Sequence, residues 1–211
     1  MPTATLSDRL FDDADTGSID PFLLFEEWFA EAQAGEVNDP NAMTLASVDA
    51  AGLPDARIVL LNARDRRGFV FFTNFDSAKG AQLHAHPQAA LLFHWKSLRR
   101  QVRLRGPVET VAPAEADAYF ATRPRISQIG AHASLQSQPL AGREALMARV
   151  DSLEQSLPAG EPVPRPNHWG GFRLVPLQME FWKDGAFRLH DRVLFTRPDA
   201  DTDWARQRLY P

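Results

Sequence analysis

The spacing of apolar residues predicts an amphipathic helix near the start of the chain. Asp20-Pro21 places a capping side chain before a proline at the first helical position. Phe22, Phe25 and Phe29 then fall on one stripe of a helix that ends at a glycine. This stripe is expected to face the core.

After this helix, short apolar runs alternate with turn signals, and the pattern predicts mainly strands. Residues 42–74 predict three strands in an antiparallel meander. A helix capped by Ser77 and ended by Pro87 follows, and then two strands and two helical stretches interrupted by Pro124. A third helical stretch, a Pro/Gly-rich excursion and four more strands complete the chain. Many antiparallel strands with inserted helices predict an α+β fold with a strongly curved sheet or barrel.

The domain organisation predicted from this pattern is simple. Residues 20–211 show no repeat and no break in composition, and they are expected to form a single domain. Residues 1–19 are acidic and small, which predicts a mobile N-terminal arm.

The stretch RLHDR, residues 188–192, stands out within the predicted strands. Alternate side chains of a strand share a face, so Arg188, His190 and Arg192 are expected to point the same way. Three cationic or titratable side chains on one face are costly to bury without an anionic partner. The pattern therefore predicts an anion beside this strand.

Composition and charge exclude several classes of function. The 211 residues carry a net charge of −4, which gives no basic field for nucleic acid. There is no cysteine, and therefore no disulfide, thiol nucleophile or thiolate metal site. No apolar run is long enough for a bilayer and no signal peptide is recognisable, so a cytoplasmic protein is expected.

Other residues also suit an anion. Ser77 and Lys79 lie at a predicted helix N-terminus, where free amides favour negative charge. Tyr119, Arg123 and Ser127 converge at a predicted helix–loop–helix corner that suits a phosphate monoester. Taken singly, each residue is better explained as a cap or a solvated surface residue. Together, with no catalytic triad and no histidine pair at metal-ligand spacing, they suggest a phosphorylated cofactor and leave a phosphorylated substrate open.

Seven motifs give the chain a specific resemblance. In order they are RIVLLN, FFTNFDSAKG, RRQVRLRGPVE, YFATRPRISQIGAHASLQS, VPRPNHWGGFRLVP, EFWKDGAFRLHDR and the closing RLYP. From about Phe22 to Pro211 the chain resembles the pyridoxamine 5′-phosphate oxidases. The resemblance implies an FMN-binding split β-barrel that works as a homodimer with FMN at the subunit interface. The implied reaction oxidises pyridoxamine or pyridoxine 5′-phosphate to pyridoxal 5′-phosphate, with O₂ as acceptor and H₂O₂ as product.

The resemblance also implies roles for individual residues. It assigns FMN contacts to Arg57, Ile58, Val59, Leu60, Leu61, Phe72, Thr73, Lys79, Gln101, Gln136, Ser137, Trp182 and Arg192. It assigns the substrate phosphate to Tyr119, Arg123 and Ser127, and the substrate ring to Arg188, Leu189 and His190. Arg188 and His190 are the implied catalytic residues, and no metal is implied.

The chain departs from the family pattern at four positions. Asn62 stands where a lysine that meets the substrate phosphate is expected, and Ala78 stands where an arginine near the FMN phosphate is expected. His132 and Leu135 replace a tryptophan and a lysine. One lost charged contact costs about 1.5–3 kcal/mol, so FMN binding is expected to survive while the substrate side is weakened or altered.

Two alternatives to this oxidase remain open from the sequence. One is a related split-barrel flavin oxidase with a different small aromatic substrate, as in the phenazine-pathway relatives. The other is a non-catalytic protein that binds FMN or pyridoxal phosphate. The intact RLHDR favours an enzyme, whereas Asn62 and Ala78 favour divergence.

Overall fold

The computed structural model describes residues 5–12, 14, 17–158 and 160–211. Over these ranges the helices are α1 Leu6–Leu10, α2 Pro21–Gly35, α3 Ala78–Ala85, α4 Pro113–Thr122, α5 Arg125–Ala133 and α6 Arg143–Ser156. The strands are β1 Ala42–Val48, β2 Pro54–Leu60, β3 Ala63–Asp65, β4 Gly68–Asn74, β5 Gln88–Trp95, β6 Arg100–Thr110, β7 Trp169–Leu174, β8 Gln178–Lys183, β9 Asp191–Thr196 and β10 Ala205–Leu209. The predicted α+β class is confirmed.

Helix α2 fills the concave side of the sheet, as its apolar stripe predicts. Asp20 caps it, since its Oδ1 accepts a hydrogen bond from the amide of Phe22 at 2.8 Å. Phe25 meets Phe69 edge to face at 4.8 Å, and Trp28 meets Phe181 in the same way at 5.2 Å. The helix thereby forms the main core with both halves of the sheet.

The sheet curls because β6 changes its partner halfway along. Seven strands follow the order β10-β9-β8-β6-β5-β1-β2, while β7 pairs with both β6 and β4. The first part of β6 pairs with β8 and its last three residues pair with β7. Gly106 lies at the change, where a Cβ would come within 2.0 Å of the carbonyl oxygen of Val175. Only glycine fits this close approach of two backbones.

Two details of the predicted strands are wrong. Residues 42–74 contain four strands and no simple meander, because β2 pairs with β1 whereas β4 pairs with β3 and β7. The RLHDR stretch is also not one strand: β9 begins at Asp191, and residues 186–188 form a 3₁₀ turn. Arg188 has φ +64°, so its side chain does not share a strand face with Arg192.

The predicted N-terminal arm contains the short helix α1. The Glu27 carboxylate accepts hydrogen bonds from the amides of Leu6 and Ser7 at 2.9 and 2.8 Å, and Leu10 is buried. Residues 1–4, 13, 15 and 16 of the arm lie outside the described residues. The mobile arm over 1–19 and the single domain over 20–211 stay predictions.

Helices α4, α5 and α6 form a second, smaller core against β7. Its buried members include Phe120, Ile129, Val150 and Trp169. This helical layer faces β2 and β4 across an open cavity, and the fold thus places a wall of helices opposite the edge of the sheet.

Candidate active site

A cavity of about 600 Å³ lies between β2, β4 and the helical layer. Eleven of the residues proposed from the sequence line it: Ile58, Val59, Leu60, Asn62, Phe72, Thr73, Lys79, Tyr119, Arg123, Ser127 and Gln136. These residues come from four separate segments of the chain. The fold therefore assembles most of the predicted site in one place.

Arg123 provides a cation at one end of the cavity. Its guanidinium carbon lies 4.9 Å from the centre of the Trp169 ring and 5.6 Å from that of Phe120. Its Nη1 is buried and has no hydrogen-bond partner in the part of the chain that the structure describes. Burial lowers the pKa of this guanidinium, although an arginine stays protonated at neutral pH. An unpaired, partly desolvated cation of this kind is suited to an anionic ligand.

Three aromatic rings fix the geometry around Arg123. Phe72 stacks on Tyr119 at 4.2 Å and 5°, and on Trp169 at 5.2 Å and 2°. The stack holds the Tyr119 ring in one plane beside the cavity, and Asn62 donates a hydrogen bond from Nδ2 to its hydroxyl oxygen at 2.6 Å. The positions of Tyr119 and Arg123 are consequently set by strand β4 and β7 as much as by their own helix.

A second group of polar residues lies at the N-terminus of α3. Ser77 caps this helix, since its hydroxyl oxygen accepts a hydrogen bond from the amide of Gly80 at 3.3 Å. The Lys79 ammonium donates to Gln136 Oε1 at 2.8 Å, and the amide of Ala78 donates to the hydroxyl oxygen of Ser137 at 3.1 Å. These contacts join the predicted residues Lys79, Gln136 and Ser137 into one polar cluster.

Lys79 carries a destabilised charge. Burial lowers the pKa of its ammonium, and the nearby positive charge of Arg57 lowers it further. The lysine thus lies beside a second cation at a helix N-terminus, which is an arrangement that an anion stabilises.

Two of the predicted residues, Arg57 and Leu61, do not line the cavity. The guanidinium of Arg57 donates hydrogen bonds to Ser47, to Asp55 and to Gln82, the last at 2.9 Å. Leu61 is buried in the main core. In contrast, Ile58 lines the cavity and is 64% exposed in this protomer.

Gln101, Trp182 and Arg192 form a separate group. They lie directly opposite one another on β6, β8 and β9, and they line a second cavity of about 300 Å³. The buried carboxylate of Glu180 bridges Arg103 and Arg192, with 2.8 Å between Arg192 Nη2 and Glu180 Oε1. Glu180 is thus an anionic partner of Arg192, whereas the anion predicted for Arg188, His190 and Arg192 together stays a prediction.

The loop from β8 to β9 carries the predicted catalytic residues. The His190 ring lies 4.6 Å from Trp182, and its Nδ1 accepts a hydrogen bond from the amide of Gly185 at 3.2 Å. Asp184 Oδ1 lies 3.2 Å from the same nitrogen. Arg188 and Leu189 are exposed, and neither is among the residues that line the large cavity.

The large cavity and the second cavity open on the same face of the sheet. Register pairs Ile58 with Thr44, Thr44 with Leu92, and Leu92 with Arg103 of the second cavity. Adjacent strands are about 4.8 Å apart, so β9 lies about 24 Å along the sheet from β2. Within one chain, Arg192 is therefore well separated from the large cavity.

Sequence reasoning missed Trp169, Asn74 and Ser134 as parts of the large cavity. Trp169 gave a signal in NHWGG, because a large aromatic beside two glycines marks a position where a ring or backbone comes close. Asn74 Nδ2 donates to the Ser134 carbonyl at 3.4 Å and joins β4 to the end of α5. Neither of those two polar residues had a distinctive local pattern.

Neither a metal-binding cluster nor a membrane-spanning helix is present among the described residues. No group of three or more His, Asp or Glu side chains there is arranged to hold a metal ion. No helix there has the length and apolar character needed to cross a bilayer.

Comparison with known proteins gives two family matches. Residues 29–156 match the model described as pyridoxamine 5′-phosphate oxidase, and residues 169–211 match the pyridoxine 5′-phosphate oxidase C-terminal dimerisation region. A pyridoxine/pyridoxamine 5′-phosphate oxidase of Azorhizobium caulinodans is 64% identical over 196 residues, which cover 93% of this chain and 92% of the relative.

Solved structures agree with these matches. PhzG from Burkholderia lata, in complex with tetrahydrophenazine-1-carboxylic acid, is 32% identical with a TM-score of 0.86, and the match covers 96% of this chain and 98% of that one. A pyridoxamine 5′-phosphate oxidase-related, FMN binding protein from Nostoc punctiforme has a TM-score of 0.73 at 16% identity, covering 92% and 100% of the two chains. The latter likeness supports the split-barrel fold alone.

Proposed function

The chain belongs to the pyridoxamine 5′-phosphate oxidase family, and from that premise we propose that it oxidises pyridoxamine or pyridoxine 5′-phosphate to pyridoxal 5′-phosphate with O₂ as acceptor. The single observation that carries the substrate class is Arg123, a partly buried cation in the large cavity whose Nη1 has no partner among the described residues. A phosphate monoester supplies the oxygens that this guanidinium needs. Tyr119 and Ser127 add hydroxyl donors from the same wall.

We propose FMN as the cofactor, and the donor set at α3 fits its phosphate. Lys79 contributes a charge, the first turn of α3 contributes amides, and Gln136 and Ser137 close the cluster from the opposite loop. Ile58 and Leu60 offer an exposed apolar surface for a flat ring beside this cluster. When bound, FMN supplies the acceptor for the hydride that leaves the substrate carbon.

We propose that the complete site forms between two chains. Gln101, Trp182 and Arg192 line the second cavity and not the large one, and Arg192 lies about 24 Å along the sheet from β2 of its own chain. A two-fold dimer brings the same face of two copies together and pairs each cavity with the other chain's group. The matched dimerisation region includes Trp182 and Arg192, which supports this arrangement.

Arg188 and His190 would then reach the substrate from the partner chain. The Gly185 amide donates a hydrogen bond to Nδ1 of His190, so the neutral ring carries its proton on Nε2. The Nε2–H is therefore available to donate a hydrogen bond to the substrate ring, and Asp184 Oδ1 lies 3.2 Å from Nδ1. Arg188 adds a fixed positive charge, and its exposure in the protomer leaves it free to do so.

The direct test uses the purified protein with pyridoxamine 5′-phosphate and with unphosphorylated pyridoxamine. We expect a yellow flavin spectrum and formation of H₂O₂ that strongly prefers the phosphorylated substrate. Absence of any bindable FMN would contradict every flavin function. FMN without turnover would indicate a binding protein, and turnover of only unphosphorylated aromatic compounds would indicate a different substrate class.

Subunit complementation tests the shared site. Arg123→Met alters the cavity and Arg192→Met alters the distant group, and each homodimer is expected to be strongly impaired. A mixed dimer, purified with two different tags, contains one site in which both arginines are intact. We expect it to regain about half of the wild-type turnover.

The control for this experiment is an Arg123→Met dimer in which the two chains carry the two different tags. Its turnover should stay impaired. A mixed dimer of the two variants that is no more active than its parents would mean that one chain supplies the whole site.

A further inference from the structure

We propose that Asn62 is a positioning residue that directs the hydroxyl proton of Tyr119 toward the substrate phosphate. This inference rests on the proposed function and specifies how one neutral side chain contributes to phosphate binding. It concerns a residue that precedes β3 and stands at the edge of the large cavity.

The orientation of the Asn62 amide follows from its two partners. The backbone amide of Phe72 can only donate, and it lies 3.1 Å from Oδ1, which must accept. Nδ2 therefore faces the Tyr119 hydroxyl oxygen, at 2.6 Å. The backbone of Asn62 is itself fixed, because its N–H donates to the carbonyl oxygen of Val70 at 2.9 Å. Asn62 is thus held on both sides by β4.

This bond makes the Tyr119 oxygen an acceptor toward Asn62. The hydroxyl has one proton, and that proton must then point away from the amide. The ring cannot turn to another position without losing its parallel contact with Phe72 at 4.2 Å. Arg123 and Ser127 line the cavity together with Tyr119, so the O–H is available to an anion bound there.

The charge of the cavity gives such a directed donor a role in phosphate binding. Lys79 and Arg123 are the cations among its described lining residues, and Lys79 belongs to the cluster at α3. One arginine is then left for the substrate phosphate, and neutral donors must supply the remaining hydrogen bonds. A hydroxyl already polarised by an amide donor is a stronger donor than an isolated hydroxyl.

A double-mutant cycle on the FMN-loaded enzyme tests this role. Asn62→Leu should raise KM for pyridoxamine 5′-phosphate about tenfold with little change in kcat, and Tyr119→Phe should do the same. The combined variant should match Tyr119→Phe within about twofold, because Asn62 acts only through the hydroxyl. The kcat/KM for unphosphorylated pyridoxamine should not change. Asn38→Leu, exposed and outside the cavity, is the matched control.

Asn62→Asp provides a second test that keeps the residue's shape. A carboxylate still accepts from Phe72, but it also accepts the Tyr119 proton and repels the phosphate, so KM should rise more than in Asn62→Leu. Turnover of pyridoxamine 5′-phosphate by the wild-type protein tests the proposed function independently of the double-mutant cycle. Three results would overturn the inference. The KM effects of the two single variants could multiply in the double variant, the KM of Asn62→Asp could equal that of the wild type, or kcat/KM for unphosphorylated pyridoxamine could fall as much as that for the phosphorylated substrate.

Discussion

Replacing Arg123 by methionine is expected to raise KM for pyridoxamine 5′-phosphate on the order of a hundredfold. The guanidinium is partly buried over Trp169, and its Nη1 has no hydrogen-bond partner within the described ranges, so a bound phosphate would gain a charge-assisted contact of low solvent screening. Methionine fills a similar volume between the rings and removes the charge. Steady-state H₂O₂ formation over a range of substrate concentrations measures the effect.

The stability of this variant provides an independent check. Burial lowers the pKa of the Arg123 guanidinium, which means that the charged form is disfavoured in the folded protein without ligand. Removing the guanidinium should therefore leave the free energy of unfolding unchanged or raise its value. Arg143→Met, at an exposed arginine that begins α6, is the matched control and should not change KM. An unchanged KM in Arg123→Met would exclude Arg123 from phosphate binding.

Replacing Lys79 by methionine is expected to weaken FMN binding on the order of a hundredfold, so that the protein is purified with little or no yellow colour. Lys79 supplies the point charge of the cluster at α3, where Gln136 and the helix amides add neutral donors. Titration of the FMN-free protein with FMN, followed by quenching of flavin fluorescence, measures the dissociation constant. Lys96→Met, at an exposed lysine, should bind FMN as the wild type does.

The pH dependence of FMN binding should identify the same lysine. The lowered pKa means that Lys79 of the FMN-free protein loses its proton at a lower pH than an ordinary lysine. FMN affinity should therefore fall as pH rises through that lowered pKa, and Lys79→Met should not show this fall. Across the same interval the unfolded chain binds more protons, so Lys79 makes the FMN-free protein more stable as pH rises. An identical pH profile for both proteins would mean that Lys79 does not contact the phosphate.

Local signals in the sequence were sufficient for several elements. Asp20-Pro21 and Ser77 fixed the starts of α2 and α3, because a cap and a first-turn proline act within a few residues of themselves. Tyr119, Arg123 and Ser127 line the same cavity, since helical spacing and the break at Pro124 determine their relative positions. These are short-range effects that a single sequence can carry.

The RLHDR stretch shows where a local pattern fails. Alternation over five residues is compatible with a strand, but the chain turns back between β8 and β9 at this point. A Cβ on Gly185 would lie 1.9 Å from the carbonyl oxygen of Leu189, so the turn needs glycine, and Phe187 and Arg188 take positive φ values. The close approach of two backbones four residues apart is a property of this turn that period-two spacing does not report.

By itself, the sequence determined the α+β class, the helix starts and the chemical types of the site, because caps, periodicity and charge are properties of neighbouring residues. Only the tertiary structure decided which side chains meet. It pairs Arg192 with Glu180 across two strands, gives Asn62 the Tyr119 hydroxyl as its partner, and leaves Arg123 Nη1 unpaired among the described residues. These contacts join positions up to 57 residues apart, and they depend on the register and curvature of the sheet.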